Sequence, residues 1–249
     1  MELIVLGTSA AYPRPGGACS GYLVRDSSTN LLVDCGTGIL SNLFRWVDPA
    51  YLDAIVITHL HTDHFLDIYP LRYYLQYEER PVSPIPVLAP SGGEQHILRL
   101  ISEENADIFS EIFRFIPINE EINREVGSFQ LSFFPVSHYK ETYGVVVTGE
   151  KRIVFSSDCG LKSKPILKKM AFAADLLVCE ATLQERTESL EEGHLTAEQA
   201  GEIAAAAKIK KLLLSHIWGS LNPRVSKTQA KKAFRGEVEA GKENQRVKI

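Results

Sequence analysis

The sequence predicts an α/β protein in which two β-sheets pack face to face with helices outside. Three observations lead there. Short apolar runs of strand length recur through both halves of the chain, bounded by turn-forming residues. Segments with helical spacing are interspersed among them rather than gathered in one block. No linker or short-period repeat divides the 249 residues, so 1–249 reads as one domain.

In chain order, Leu3–Leu6 is a strand entering the turn at Gly7-Thr8. Gly21–Val24 and Asn30–Val33 form a hairpin across the polar stretch 25–29. Cys35-Gly36-Thr37-Gly38 is a turn, and Ile39–Trp46 has helical spacing. Ala54–Thr58 is a buried strand. Phe65–Tyr77 reads as a helix that Pro70 restarts or kinks, because proline lacks an amide donor. Ile85–Leu88 is a short strand bracketed by prolines, and Gly92–Glu104 suits one amphipathic helix. Ile112–Ile116, Phe129–Val136, Tyr143–Thr148, Arg152–Ser156 and Asp175–Cys179 are strands. Thr196–Ala207 is a helix with Thr196 as its N-cap. Leu212–Ser215 is the last strand and Lys227–Arg235 the last helix, and the charged tail Gly236–Ile249 is expected to fray.

Apolar residues make up 45% and charged residues 23%, the balance of a soluble globular protein. A net charge of -4 supplies no global attraction to nucleic acid, so any RNA contact needs a local patch. Lys162, Lys164, Lys168 and Lys169 lie close together and read as a solvated helix face. Cys19, Cys35, Cys159 and Cys179 form no CxxC pair, which argues against a thiolate zinc knuckle and fits a reducing compartment. The first residues lack a basic stretch followed by a long apolar one, and no apolar run reaches the ~18 residues of a membrane span. A cytoplasmic protein without a membrane partner is expected.

Chemistry concentrates at His59-Leu60-His61-Thr62-Asp63-His64, which holds three of the seven histidines. Residues two apart in extended backbone point to one side, so His59 and His61 can grip one ion. Asp63 and His64 follow where a helix is expected to begin, and its N-terminus would favour a neutral His64 able to ligate. Four residues cannot complete two sites. His138, Asp158 and His216 each follow a predicted strand, where strand ends converge on one edge, and are candidates for the missing donors. His96 sits in a presumed helix without acidic or histidine neighbours, and is expected to have no ligand role.

These residues resemble the HxHxDH signature of metallo-β-lactamase-fold hydrolases, closest to ribonuclease Z and its small phosphodiesterase relatives. Leu6-Gly7-Thr8, Leu32-Val33-Asp34-Cys35-Gly36, His138 followed by Tyr143-Gly144, Ala174–Thr182, His194–Ala200 and Leu213-Leu214-Ser215-His216 extend the resemblance over nearly the whole chain. The resemblance implies a four-layer αββα sandwich. It implies one zinc on His59, His61, His138 and Asp158, and a second on Asp63, His64, Asp158 and His216. Asp158 and a hydroxide would bridge them. Asp34 would orient the metal loop by hydrogen bonds. Glu180 and His194 would form a pair in which His194 helps with the scissile phosphate or leaving oxygen. Asp63, His194 and Glu180 are therefore the candidate catalytic residues. The alternative for His194 is a helix-capping role before Thr196.

Two divalent ions, zinc by preference but also manganese or iron, about 3.5–4 Å apart suit attack on a phosphodiester or an acyl carbon. The Glu180–His194 pair favours phosphodiesters over the lactonase or β-lactamase alternative. The tRNA 3′-processing enzymes of this branch carry a long arm between the ligands matching His138 and Asp158. Here residues 139–157 hold two expected strands and a turn, and Ile217-Trp218-Gly219-Ser220 replaces the branch's Arg-Tyr ending. A smaller substrate is expected: a cyclic nucleotide, a cyclic sugar phosphate or a short oligonucleotide. The filled ligand positions argue against a non-catalytic scaffold subunit. The aromatic segment Tyr69–Tyr77 reads either as core packing or as a homodimer contact.

Overall fold

Alternation of apolar side chains decides the layering. In the first strand, β1 (Glu2–Gly7), Leu3 and Val5 face one apolar cluster while Ile4 and Leu6 face another. Both faces of this strand are thus covered. The structure, a computed structural model, describes residues 1–187 and 192–249, with backbone only at 103 and 104. After β1 come β2 (Ser9–Ala10), β3 (Gly21–Arg25), β4 (Asn30–Cys35), α1 (Ile39–Leu43), β5 (Ala54–Val56) and α2 (Ile68–Tyr77). Next are β6 (Ile85–Ala89), α3 (Gly93–Leu98), α4 (Glu103–Ile112), β7 (Phe113–Pro117), β8 (Asn123–Val126) and β9 (Phe129–Pro135). They are followed by β10 (Tyr143–Thr148), β11 (Arg152–Phe155), α5 (Lys164–Met170), β12 (Leu176–Glu180) and α6 (Ala197–Ala207). The last are β13 (Lys211–Ser215), β14 (Ile217–Trp218), α7 (Pro223–Ala233), β15 (Glu237–Ala240) and β16 (Gln245–Lys248).

Two seven-stranded sheets result, in the orders β16-β1-β3-β4-β5-β6-β7 and β15-β13-β12-β11-β10-β9-β8. Their inner faces meet through Val5, Val33, Val56, Phe133, Val145, Phe155 and their neighbours. The first sheet's outer face packs under α1 to α4, with Leu43, Ile68, Leu71, Ile97 and Phe109 buried there. The second sheet's outer face lies under α5 to α7, with Leu167, Ile203 and Ala230 buried. This is the four-layer αββα sandwich of the metallo-β-lactamase fold. Among the described residues no helix is long and apolar enough to cross a membrane.

Four expectations need correction. Pro70 neither restarts nor kinks a helix. It is the third residue of α2, in the first turn, where amide groups have no intrahelical acceptor. The expected helix Gly92–Glu104 is two helices, α3 and α4, separated by residues 99–102. Ile39–Trp46 is helical only through Leu43. The tail does not fray. Val238 and Val247 are buried, and β15 and β16 each extend one sheet. Lys211 Nζ pairs with Glu237 and Glu239 at 2.8 Å each, and Arg246 pairs with Glu2 across the β1–β16 edge. Glu237, Glu239 and Arg246, three of the charges that suggested a frayed tail, therefore have partners. The N-cap expectation holds: Thr196 and Gln199 form a reciprocal capping box at α6.

The edge that carries Asp63 is held by a close backbone contact. A Cβ on Gly36, just after β4, would lie 2.0 Å from the Asp63 carbonyl oxygen. Gly36→Ala is therefore expected to cost about 1–3 kcal/mol, as overpacked sites do. That lowers the thermal midpoint by roughly 2–4 °C per kcal/mol. Circular dichroism melts check this, and an unchanged midpoint would show that the loop carrying Asp63 can move away freely.

Candidate metal centre

The strands deliver the chemistry to one edge. β9, β11, β12 and β13 run in the same direction, so His138, Asp158, Glu180 and His216 emerge at the carboxyl edge of the second sheet. β4 and β5 bring Asp34 and His59 to the same edge from the first sheet. Ligand sites of open parallel sheets lie at such edges. Asp63 and His64 sit in a short 3₁₀ turn, Thr62–His64, and α2 starts only at Ile68.

Two groups of donor atoms form. In the first, His61 Nδ1 lies 3.1 Å from both His59 Nε2 and His138 Nε2. Asp158 Oδ2 closes it at 3.6 Å from His59 Nε2 and 3.9 Å from His138 Nε2. In the second, His216 Nε2 lies 3.2 Å from Asp63 Oδ2 and 3.4 Å from His64 Nε2. Asp158 Oδ2 again completes the group, 3.4 Å from His64 Nε2 and 3.3 Å from His216 Nε2. One carboxylate oxygen is common to both.

These separations fit a bound cation. A tetrahedral ion with bonds of about 2.0–2.1 Å has donors roughly 3.3 Å apart. The hydrogen bonds behind the rings aim lone pairs inward. His138 Nδ1 donates to the Gly193 carbonyl at 2.8 Å, leaving Nε2 unprotonated. His216 Nδ1 donates to Thr182 Oγ1 at 2.9 Å, and that hydroxyl donates to Glu180 Oε2 at 2.7 Å. His64 Nδ1 donates to Asp34 Oδ2 at 2.8 Å, while Asp34 Oδ1 and Oδ2 accept from the Thr58 amide and hydroxyl. Asp34 thus binds the loop and orients a ring, as its family position implies. Asp63 Oδ2 accepts the Ala11 amide at 2.9 Å.

Charge is arranged to match. Burial pushes the His59 pKa well below the ordinary value, and brings His61 down to about 4 with help from His138. His138 is also lowered, first by burial. Burial would raise the carboxyls, but the imidazoles outweigh it: His216 and His64 hold Asp158 well below its usual range, and His64 and His216 do the same for Asp63. His64 reverses an expectation. Burial lowers its pKa, yet Asp158, Asp34 and Asp63 together raise it well above normal. α2 starts only at Ile68, so no N-terminus of a described helix adjoins it to favour the neutral form, and a cation entering there would compete with a proton.

Backbone geometry records the cost of convergence. Ala11, Asp34, Ser157 and His216 all have positive φ, a region that L-residues enter at a cost of order 1–3 kcal/mol each. All four lie in or beside the donor groups.

Beside the groups, His194 Nδ1 donates to Glu180 Oε1 at 3.0 Å. Burial lowers the His194 pKa, but Glu180 and then Asp158 outweigh it and push it up to about 9. His194 is not the helix cap, which is Thr196. Its ring stacks on His216 with centroids 5.6 Å apart. Every expected site residue therefore reaches this edge, and His96 stands outside the donor groups found among the described residues. Sequence reasoning gave no role to Thr182, the Gly193 carbonyl or the Ala11 amide. None carries a signal of its own, because two act through the backbone and the third through a common hydroxyl.

The comparisons agree with this geometry. Residues 29–217 match the beta-lactamase superfamily domain. The chain is 28% identical over 247 residues to the probable metallo-hydrolase YhfI of Bacillus subtilis, covering 97% of each. The crystal structure of YhfI superposes with a TM-score of 0.88 over 99% of both chains at 26% identity. An uncharacterized protein of Mycobacterium leprae is 32% identical over 253 residues, covering 96% of this chain and 86% of that protein. The human short-form tRNase Z gives a TM-score of 0.78 at 25% identity, covering 100% of this chain and 99% of that one.

Removing the Asp34 anchor should loosen the centre without emptying it of donors. Asp34→Ala is expected to weaken zinc affinity about 10–100-fold, as loss of such partners does, measured by competition with a chromophoric chelator. The proton on His64 adds a pH dependence. Affinity of the donor group containing His64 for an added zinc ion is expected to fall as pH drops, whereas His59, His61 and His138 are already unprotonated at neutral pH. Equal pH dependence for all bound zinc would contradict this.

Proposed function

The chain belongs to the beta-lactamase superfamily and is a metal-dependent hydrolase of the metallo-β-lactamase fold, related to ribonuclease Z; on that premise we propose that it is a binuclear phosphodiesterase acting on a small phosphodiester. His59, His61, His138 and Asp158 would hold one ion, and Asp63, His64, Asp158 and His216 the other, with Asp158 common to both. The imidazole-rich donor set favours zinc over manganese or iron. When bound, the ions lower the pKa of water toward ~7 and neutralise charge in the transition state.

The observation that carries the phosphodiester reading is the Glu180–His194 pair. Glu180 fixes the imidazole through Nδ1, which leaves Nε2 for the cleft beside Asp158 and His216. An imidazolium there holds a proton ready for a departing alkoxide. Glu180 itself is anchored by the Cys159 and Leu195 amides, so the pair is rigid. Asp63, fixed by Ala11, keeps its oxygen aimed at the donor group. An acyl substrate of the lactonase or β-lactamase type gives His194 less to do.

Similarity to the human tRNase Z favours a second reading, tRNA 3′ processing. Against it stands the span between His138 and Asp158. β10 and β11 form a tight hairpin there, paired from Val145↔Phe155 to Thr148↔Arg152, which leaves no segment for a tRNA-gripping arm. Four free, buried cysteines support a cytoplasmic setting. Tyr73 and Tyr77 stack on each other at the surface of α2, 52% and 70% exposed, while Tyr69 and Tyr74 pack toward the core. This exposed pair supports a homodimer contact, which a monomeric mass in solution scattering would exclude.

The zinc-loaded protein is expected to hydrolyse bis(p-nitrophenyl) phosphate and to leave nitrocefin intact; the opposite result would overturn the reading. His194→Ala is expected to lower kcat about 10²–10⁴-fold on a nucleotide phosphodiester. The loss should be smaller on bis(p-nitrophenyl) phosphate, whose phenolate leaves without a proton. Equal losses on both would remove His194 as an acid. Efficient cleavage of a pre-tRNA 3′ trailer would restore the second reading.

A further inference from the structure

The cleft above the donor groups has two walls that hydrolysis alone does not require. It encloses about 490 Å³, and Ala11, Leu60, His96, Lys140, His194 and Trp218 line it around the metal-facing residues. One wall carries Trp218, and Tyr12 adjoins that ring at the rim of the cleft. β14 follows His216 and pairs with β2, placing Trp218 opposite Ala10. Tyr12 then meets Trp218 edge to face, centroids 5.9 Å apart at 90°. Tyr12 is 46% exposed, so this pair presents ring surface to solvent instead of closing a core. It stands on the Asp63 and His216 side of the centre, since the neighbouring Ala11 amide holds Asp63.

The other wall carries one cation, Lys140, beside His96, whose pKa burial and then Lys140 lower, so that its ring is a neutral hydrogen-bonding group. Lys140 lies two residues beyond His138, and its Nζ is 3.5 Å from the Leu60 carbonyl, beside His61. His96 reaches the same wall from α3, with its ring against Phe65. Among the described residues lining the cleft, the carboxylates are Asp63 and Asp158, and both face the histidine donors. Lys140 has no acidic partner there. In a chain of net charge -4, a lysine with no carboxylate partner among the described lining residues, beside a neutral imidazole, suits an anion other than the one being cleaved.

We propose that this cleft takes a short oligonucleotide bearing a terminal 5′-phosphate: Tyr12 and Trp218 receive a nucleobase, and Lys140 with His96 receives the terminal phosphate while the scissile phosphodiester lies at the donor groups between them. A base stacks on an aromatic face whatever its identity, so this wall selects nucleotides over sugar phosphates without selecting sequence. A lysine binds phosphate as a point charge, so the opposite wall selects for a second negative group. A cyclic mononucleotide has a single phosphate and would leave that wall idle. The inference rests on the phosphodiesterase reading and narrows its substrate.

The test compares two dinucleotides that differ only in a 5′-phosphate, pApA and ApA, on the zinc-loaded protein. The phosphorylated one is expected to be cleaved with kcat/KM about ten-fold higher, the size of one charge-assisted contact. Lys140→Gln should abolish that preference, mainly through KM. Trp218→Leu should lower kcat/KM on both dinucleotides and keep the preference. Equal rates in the wild type, or a preference that survives Lys140→Gln, would overturn the proposal. Failure to hydrolyse any phosphodiester would instead remove the phosphodiesterase reading, and binding then decides the subsite. Adenosine 3′,5′-bisphosphate should quench Trp218 fluorescence in a Trp46→Phe background, with affinity about ten-fold weaker in Lys140→Gln. No quenching, or quenching indifferent to Lys140→Gln, counts against the subsite.

Discussion

Everything in this structure answers to one constraint: seven side chains must be held with their donor atoms in near contact, the imidazoles against their mutual repulsion. Unprotonated imidazole nitrogens at 3.1 Å face each other with lone pairs, and two buried carboxylates lie among them. Without a cation between them the arrangement is costly. The sandwich tolerates it because the donors rise from strand ends whose positions are fixed by two seven-stranded sheets. Part of the cost is visible in the backbone, where Asp34, Ser157 and His216 adopt left-handed conformations. Strain of this kind persists only where the surroundings dictate it, and here the dictating elements are the buried strands on both sides.

Glu180 shows how the donor groups are joined to His194 beside them. One oxygen accepts from the Cys159 amide and from His194; the other accepts from Thr182 and the Leu195 amide. Cys159 adjoins Asp158, and the Thr182 hydroxyl in turn accepts from His216. A single carboxylate therefore positions Asp158, His216 and His194 together. A change at Glu180 would move all three together, so its effects should not be divisible into separate contributions.

Much of this was legible in the sequence, for physical reasons. Histidine spacing of two along extended backbone survives any packing, so His59 and His61 declare themselves. His138, Asp158 and His216 follow apolar runs long enough to be strands, and parallel strands deliver their ends to one edge. What escaped notice depends on tertiary context. The tail looked solvated because its charges were read without their partners, Lys211 and Glu2. His64 looked neutral because two of the three carboxylates around it, Asp34 and Asp158, come from distant segments. His96, dismissed as an ordinary helical residue, enters the cleft only because α3 packs over the first sheet beside Leu60. Trp218 was noted as a departure from the family ending, but its partner Tyr12 is identified only by the β2–β14 bridge.

The pairing of β16 with β1 bears on how the chain is made. Residues 245–248 complete the edge next to residues 2–5, the widest sequence separation the first sheet contains. During synthesis β1 emerges well before that neighbour and waits for it while the intervening residues are translated. Its outward edge of unpaired amides and carbonyls stays open through that interval, a template for wrong partners. Such distant pairing also slows the final closure. Newborn chains stalled or truncated before residue 245 would then carry an intact histidine cluster on a sheet with an uncovered border. Aggregation of nascent polypeptide, rather than loss of chemistry, is the hazard this topology builds in.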